Sequence, residues 1–152
     1  MKIELNSRKA LVTGSTAGIG RAIAEGLARA GASVVINGRS KERVEAAVTE
    51  LRALLPNAEF TGVVADVSTA EGSASLATQV KEVDILVNNA GTAYPKGFFE
   101  QNDADWLQIY QLNVMSGVRA ARDYMPGARV AAARCSPAER HLRSTANRHT
   151  LH

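Results

Sequence analysis

A single cysteine, Cys135, occurs in 152 residues, so no intramolecular disulfide can form. Without a C-x-x-C pair or a Cys/His cluster no metal site is expected either. The setting expected from this is reducing and cytoplasmic. No apolar stretch approaches the ~18 residues that a membrane-spanning helix requires. Met1 to Ala10 is polar and lacks the apolar core of a secretion signal, so neither a leader nor a membrane partner is expected. Aromatic side chains are scarce at 5%, all between Phe60 and Tyr124, and histidine is absent before His141. At 45% hydrophobic and 22% charged, the composition is nonetheless globular, which excludes wholesale disorder and collagen-like or coiled-coil fibres.

An excess of one charge is also missing from most of the chain. The net charge of +3 taken alone points to an anionic partner. Thirteen of the eighteen basic and fourteen of the fifteen acidic side chains fall within residues 1–126, which are therefore close to neutral. Residues 127–152 hold Arg129, Arg134, Arg140, Arg143 and Arg148 against Glu139 alone. The large aliphatics there are Val130, Leu142 and Leu151, too little apolar surface to offset the entropy of ordering the segment. It has neither the aromatics nor the recognition fold of a nucleic-acid reader, so no nucleic-acid partner is expected. The organisation read from this is an incomplete domain over residues 1–126 and a basic, irregular tail over 127–152.

What is present before residue 126 is an alternation of strands and helices. Leu11-Val12-Thr13 is a short apolar run ending at Gly14, and Ile19, Ile23, Leu27 and Ala30 then recur at helical spacing up to Gly31, a left-handed cap. Ser33 to Ile36 is a β-branched run stopped by Asn37-Gly38. After Ser40 as N-cap, Val44, Ala47, Val48, Leu51 and Leu55 mark one helix face as far as Pro56. Thr61 to Ala65 reads as a strand, Ser68 to Lys81 as a helix and Val83 to Val87 as a strand. A long helix from about Asp103 to Met125 carries Trp106, Ile109, Tyr110, Asn113, Val114 and Gly117 at helical spacings. Near-continuous apolar strands imply burial on both faces, hence a parallel sheet with helices on either side.

Thr13-Gly14-Ser15-Thr16-Ala17-Gly18-Ile19-Gly20 joins the first strand to the first helix. Gly14 permits a tight turn, Gly18 lets backbone approach a pyrophosphate, and Gly20 lets the helix pack closely. The helix N-terminus adds unpaired N–H groups and a partial positive charge. A glycine-rich turn also serves purely structural ends, so alone it leaves both readings open. Where NAD-binding folds usually carry an acidic side chain, about 20 residues after the glycines, this sequence has Asn37-Gly38-Arg39-Ser40. Arg39 can pair bidentately with a 2′-phosphate and stack on adenine, favouring NADP(H) over NAD(H); the competing reading is a solvated arginine at a helix start. Arg43, one turn on, reads as ordinary helix surface.

Three further motifs stand in register: Asp66-Val67 after the third strand, Asn88-Asn89-Ala90-Gly91 after the fourth, and Asn113 in Leu112-Asn113-Val114. Asp66 can accept from an adenine amino group or help cap the next helix, and Asn88-Asn89 alone would read as a turn-forming pair. Together with the glycine turn they resemble the short-chain dehydrogenase/reductase family of NAD(P)-dependent oxidoreductases, over about residues 6–126. The resemblance implies an α/β partial Rossmann fold, doubly wound, of about four parallel strands with flanking helices. It implies cofactor contacts from Gly14, Ser15, Thr16, Gly18, Ile19, Gly20, Arg39, Asp66, Val67, Asn88, Ala90 and Gly91. It also implies that Asn113 belongs to the family's catalytic tetrad, holding a water through a locally distorted helix. The partners implied are a small-molecule carbonyl or secondary alcohol and further copies of the chain in a homo-oligomer.

The rest of that tetrad is not found. Tyr94 is followed four residues on by Phe98, Tyr110 by Val114 and Tyr124 by Ala128, so the family's Y-x-x-x-K is absent. Ser136 sits in Arg134-Cys135-Ser136-Pro137 with no apolar strand around it. Losing general acid catalysis alone is worth ~10²–10⁴ in rate, so this chain is expected to be inactive. The expectation is that it leaves the family's sequence near Gly127, as a truncation or a shifted reading frame would produce. Its fourth strand would then be an open edge carrying Ile85, Leu86 and Val87. The alternative function is a non-catalytic nucleotide-binding or dimerisation module using the Trp106 to Met125 helix. Tyr94, Phe98 and Phe99 read as local packing rather than a substrate pocket.

Overall fold

The chain's first seven elements alternate strictly between strand and helix. In the computed structural model, which describes residues 3–93 and 97–125, they are β1 (Lys9–Val12), α1 (Gly18–Arg29), β2 (Ser33–Gly38), α2 (Lys41–Leu54), β3 (Phe60–Val64), α3 (Ala70–Gln79) and β4 (Ile85–Val87). A 3₁₀ turn (Phe98–Glu100), α4 (Asp103–Tyr110), a π-helical segment (Gln111–Met115) and α5 (Ser116–Tyr124) follow. The tail, Tyr94 and Ser136 lie outside the described residues.

All strands run parallel in the order β3-β2-β1-β4. Leu11 stands level with Val35 on one side and Leu86 on the other. Asp84 fixes the lower end of this register. Its carboxylate accepts from the Lys9 N–H at 2.9 Å and from the Arg8 guanidinium at 2.8 Å. Those two bonds hold its pKa below the usual carboxylate range.

The period of two along each strand divides the core. Ala10, Val12, Val34, Ile36 and Phe60 pack under α1 and α2, together with Ala24, Ala28, Ala47, Val48 and Leu51. Leu11, Val35 and Val63 pack on the opposite face with Leu76, Ala120 and Tyr124 of α3 and α5. This is the doubly wound α/β arrangement the sequence leads one to expect.

Four details differ from the sequence reading. The inner stripe of α1 is Gly20, Ala24 and Ala28, whereas Ile23 and Leu27 are half-buried and Ile19 is 76% exposed. Small residues let the helix approach the sheet more closely than the bulky stripe would. Second, β2 continues through Asn37 and Gly38. Third, β3 is an edge strand with Thr61 and Val64 exposed, so burial on both faces holds for β1 and β2 only. Fourth, the long helix is not continuous: the π turn inserts one residue and rotates α5 relative to α4. The buried side of α5 is therefore Ser116, Ala120 and Tyr124, while Trp106, Tyr110 and Val114 are exposed. Among the described residues β4 has no strand on its far side, and its three residues are half-buried.

Tyr124 is buried with no hydrogen-bond partner for its hydroxyl among the described residues. Burial, with a smaller contribution from Asp123, pushes its pKa up to about 12. The folded chain thus holds the neutral phenol to higher pH than the unfolded chain does. Its contribution to stability is complete below the ordinary value of 10.0 and is lost as pH climbs toward about 12. Urea unfolding at about pH 8 and about pH 11 is expected to show a smaller alkaline loss of stability in Tyr124→Phe than in the parent chain. Equal losses would contradict this placement of the phenol.

Candidate functional site

The carboxyl ends of the four strands open into one cavity of about 540 Å³. Parallel sheets of this kind place their ligands there, because the loops from strand to helix diverge at that edge. The glycine turn supplies one wall through Gly14, Thr16, Ile19 and Gly20. Gly14 has φ +63°, and a Cβ on it would stand 3.0 Å from the Ala90 Cα, so the turn needs glycine both for conformation and for space.

The turn is held from both sides. Thr13 is 2% exposed. Its hydroxyl accepts from the N–H groups of Asn89 (3.1 Å) and Ala90 (3.0 Å) and donates to the Val87 carbonyl (3.3 Å). Asn89 returns the connection, its Nδ2 donating to the carbonyls of Thr13 (3.0 Å) and Gly14 (3.1 Å). On the other side Asn37, 1% exposed, donates from Nδ2 to the carbonyls of Val63 (3.3 Å) and Ala65 (3.2 Å) and accepts from the Gly14 N–H (3.4 Å). Neither Thr13, Asn37 nor Asn89 is assigned a site role by the sequence reading. Asn37-Gly38 looks like a strand breaker, and the buried carboxamide becomes visible only when β3 is placed beside β2.

Ser15 sits outside the cavity wall. Fully buried, it donates its hydroxyl to the Val12 carbonyl (2.7 Å), accepts from the Asn37 N–H (3.0 Å) and donates its own N–H to the Asn37 carbonyl (2.9 Å). Gly18, with φ +56°, opens α1, whose N-terminus has no side-chain cap and no acidic residue in its first turn. By contrast α2, α3 and α4 are capped by Ser40, Thr69 and Asn102. The N–H groups of α1 are thus left to a ligand or to water.

The end of β2 contributes Arg39 and Arg43, both on the cavity wall. Arg43 is therefore not merely helix surface. Neither arginine makes an ion pair among the described residues, whereas Arg8, Arg21 and Arg29 are paired with Asp84, Glu50 and Glu25. A Cβ at position 38 would lie 2.6 Å from Thr16 Cγ2 and 3.2 Å from Val44 Cγ2, so a side chain there would have to displace those methyl groups.

Asp66 and Val67 line the cavity beyond the end of β3. One Asp66 oxygen, Oδ1, accepts from both the N–H (3.0 Å) and hydroxyl (2.7 Å) of Ser68, which fixes the turn while Thr69 caps α3. Ala90 and Gly91 line the opposite wall, with Thr92, Gln108 and Leu112 beyond them. Asn88 is exposed and lies beside Gly117, away from the cavity. Asn113, in the middle of the π segment, is also off the wall, and its carboxamide closes on the Thr92 backbone. Oδ1 accepts from the Thr92 N–H at 2.8 Å and Nδ2 donates to its carbonyl at 2.9 Å. No group of three or more His, Cys, Asp or Glu among the described residues is arranged to hold a metal ion, and no described helix is long and apolar enough to cross a membrane.

A parallel, doubly wound sheet with a glycine turn over a cleft at its carboxyl edge defines a Rossmann-type α/β protein. The sequence pattern of the short chain dehydrogenase family matches residues 8–132, and the chain belongs to that family. It is 45% identical over 125 residues to the uncharacterized oxidoreductase YvaG of Bacillus subtilis (strain 168), covering 82% of this chain and 47% of that protein. It is 38% identical over 129 residues to YvrD, an uncharacterized oxidoreductase of the same organism, covering 83% and 48%. The L-sorbose reductase of Gluconobacter frateurii, crystallised with NADPH and L-sorbose, superposes with a TM-score of 0.76 at 37% identity, over 84% of this chain and 49% of that one. The chain spans about half the length of the curated relatives it matches.

The Thr13 joint has a measurable cost. Thr13→Val keeps the shape but leaves two N–H donors without their acceptor, and urea unfolding is expected to show a loss of about 2–3 kcal/mol. A change within about 0.5 kcal/mol would show the hydroxyl to be dispensable.

Proposed function

We infer that residues 1–126 form the cofactor-holding half of an NADP(H)-dependent oxidoreductase acting on a small carbonyl compound or secondary alcohol. The observation that carries this reading is the coincidence, on one cavity, of an uncapped helix N-terminus with two arginines that lack ion pairs. The capped starts of α3 and α4 and the carboxylate-paired Arg8, Arg21 and Arg29 lie elsewhere, while Ser40, the cap of α2, stands on the same wall. An anion spanning both features satisfies them together.

The residues present fit the cofactor. The N–H groups of the Gly14–Gly20 turn would hold the pyrophosphate. Arg39, assisted by Arg43, would take the 2′-phosphate, and Gly38 brings no carboxylate for an NAD-type ribose contact. Asp66 keeps Oδ2 uncommitted among the described residues and can accept from the adenine amino group while Oδ1 holds Ser68. Ala90 and Gly91 would pass beneath the ribose of the nicotinamide. When bound, that ring supplies the hydride-transfer chemistry. Asn113 holds the Gly91–Thr92 loop in place for it, and Ser15 shapes the turn from beneath. This chain contributes no Y-x-x-x-K pair, so it supplies binding and orientation but not the proton.

The family resemblance supports a homo-oligomer, and the single cysteine supports a cytoplasmic setting. Titration of the 152-residue chain with NADPH and with NADH, followed by nicotinamide fluorescence, is expected to show tighter NADPH binding. Arg39→Ala should weaken NADPH by about 10–100-fold and leave NADH nearly unchanged. No turnover is expected over a panel of carbonyl compounds. Tighter NADH binding, or an unaffected Arg39→Ala variant, would contradict the phosphate assignment, and measurable turnover would contradict the missing proton donor.

A further inference from the structure

Arg119 lies in the first turn of α5, half-buried and off the cavity wall. Its guanidinium donates in two directions, from Nη1 to the Ser68 carbonyl at 3.3 Å and from Nη2 to Oε1 of Gln111 at 2.5 Å. Neither acceptor is a carboxylate. The contact is therefore a directional strut rather than a charge pair, and the rigid fork of the guanidinium is what allows one side chain to span both acceptors.

Neither acceptor lines the cavity, but each belongs to a segment that adjoins its wall. Ser68 is locked to Asp66, whose neighbour Val67 also lines the wall. Gln111 opens the π segment, and that segment carries Asn113 with its two bonds to the Thr92 backbone. A packed block connects them: Ala120 and Tyr124 of α5 share a cluster with Val67 and Leu76, against which Leu112 rests. The π turn is a local departure from the α-helical spacing on either side of it, and Gln111 is its first residue.

We propose that Arg119 is a positioning residue that couples the Asp66–Ser68 turn to the π segment, so that filling the adenine end of the cavity orders the Gly91–Thr92 loop at the other end. The proposal rests on the reading of this cavity as a nucleotide site. A ligand that fixes Asp66 fixes the Ser68 carbonyl, hence the guanidinium, hence Gln111 and the register in which Asn113 meets Thr92. The coupling free energy is the difference in the ligand's affinity with this strut formed and with it broken.

The test uses the full 152-residue chain and 2′,5′-ADP, which has the adenine and phosphates but no nicotinamide, with amide hydrogen exchange as the readout. Binding is expected to slow exchange at residues 65–68 and also at Thr92 and residues 111–115. Arg119→Met should bind about 2–30-fold more weakly and, at saturating ligand, keep the protection at 65–68 while losing it at Thr92 and 111–115. Arg119→Lys should not restore the distant protection, because one ammonium cannot span both acceptors. Gln111→Leu cuts the same strut from its other end, and the double variant should add nothing to either single loss. Unchanged exchange in β1 and β2 shows that a variant is folded, and Gln111→Leu carries the test where Arg119→Met is not. Distant protection that survives in the folded variants overturns the proposal, as does its absence in a parent chain that binds 2′,5′-ADP. If the parent chain does not bind at all, exchange changes nowhere, and the nucleotide reading falls together with the coupling.

Discussion

The hydroxyl of Thr13 is the joint on which the rest of the cavity depends. It receives two backbone N–H groups from the loop after β4 and gives its proton to the last residue of that strand. Each bond has a net worth of only about 1 kcal/mol, but leaving the buried donors unmet costs more than making them gains. With Asn89 bonding back to Thr13 and Gly14, the first and fourth strand ends become one unit. Asn37 does the same between the glycine turn and β3. The turn is thus set before any ligand arrives, which lowers the ordering cost of binding.

Around that joint the ordinary rules of local stabilisation are set aside in two places. The N-terminus of α1 lacks the side-chain cap that α2, α3 and α4 possess, and Arg39 and Arg43 lack the carboxylates that Arg8, Arg21 and Arg29 have found. Local inconsistencies of this kind collect at functional sites. Both stand on the wall of the same cavity, and negative charge there would satisfy both. The net charge of the sequence gives no hint of this, because its excess resides in residues 127–152.

The sheet was legible because β1 and β2 are apolar on successive residues, a pattern that only a doubly covered parallel strand requires. The Ser40 cap and the Gly31 terminus were legible because each is a one-residue signal with a local cause: Ser40 accepts from the Arg43 N–H at 3.4 Å, and Gly31 has φ +98°. The inner face of α1 was not, since hydrophobicity weights Ile19 and Ile23 above the alanines that pack closest to the sheet. Nor was the change of face between α4 and α5, which arises from a single residue inserted at the π turn. In the site, the glycines and Arg39 follow from chemistry that each residue carries by itself. Asn37 and Asn89 act through side-chain bonds to residues 23 to 76 positions away, and Arg119 through Ser68, 51 positions away, and no short motif records such pairings.

The central claim is that the strand-end cavity binds the phosphorylated adenosine half of NADP(H). Backbone amide shifts of the isotopically labelled chain on addition of 2′,5′-ADP test it most directly, since they report where the ligand sits without requiring turnover. Saturable shifts at residues 14–20, 38–43 and 65–67 are the result this account predicts. Shifts confined to the groove at the opposite end of the sheet, around Ser7, Arg29 and Asn57, or no shifts at all, would contradict it.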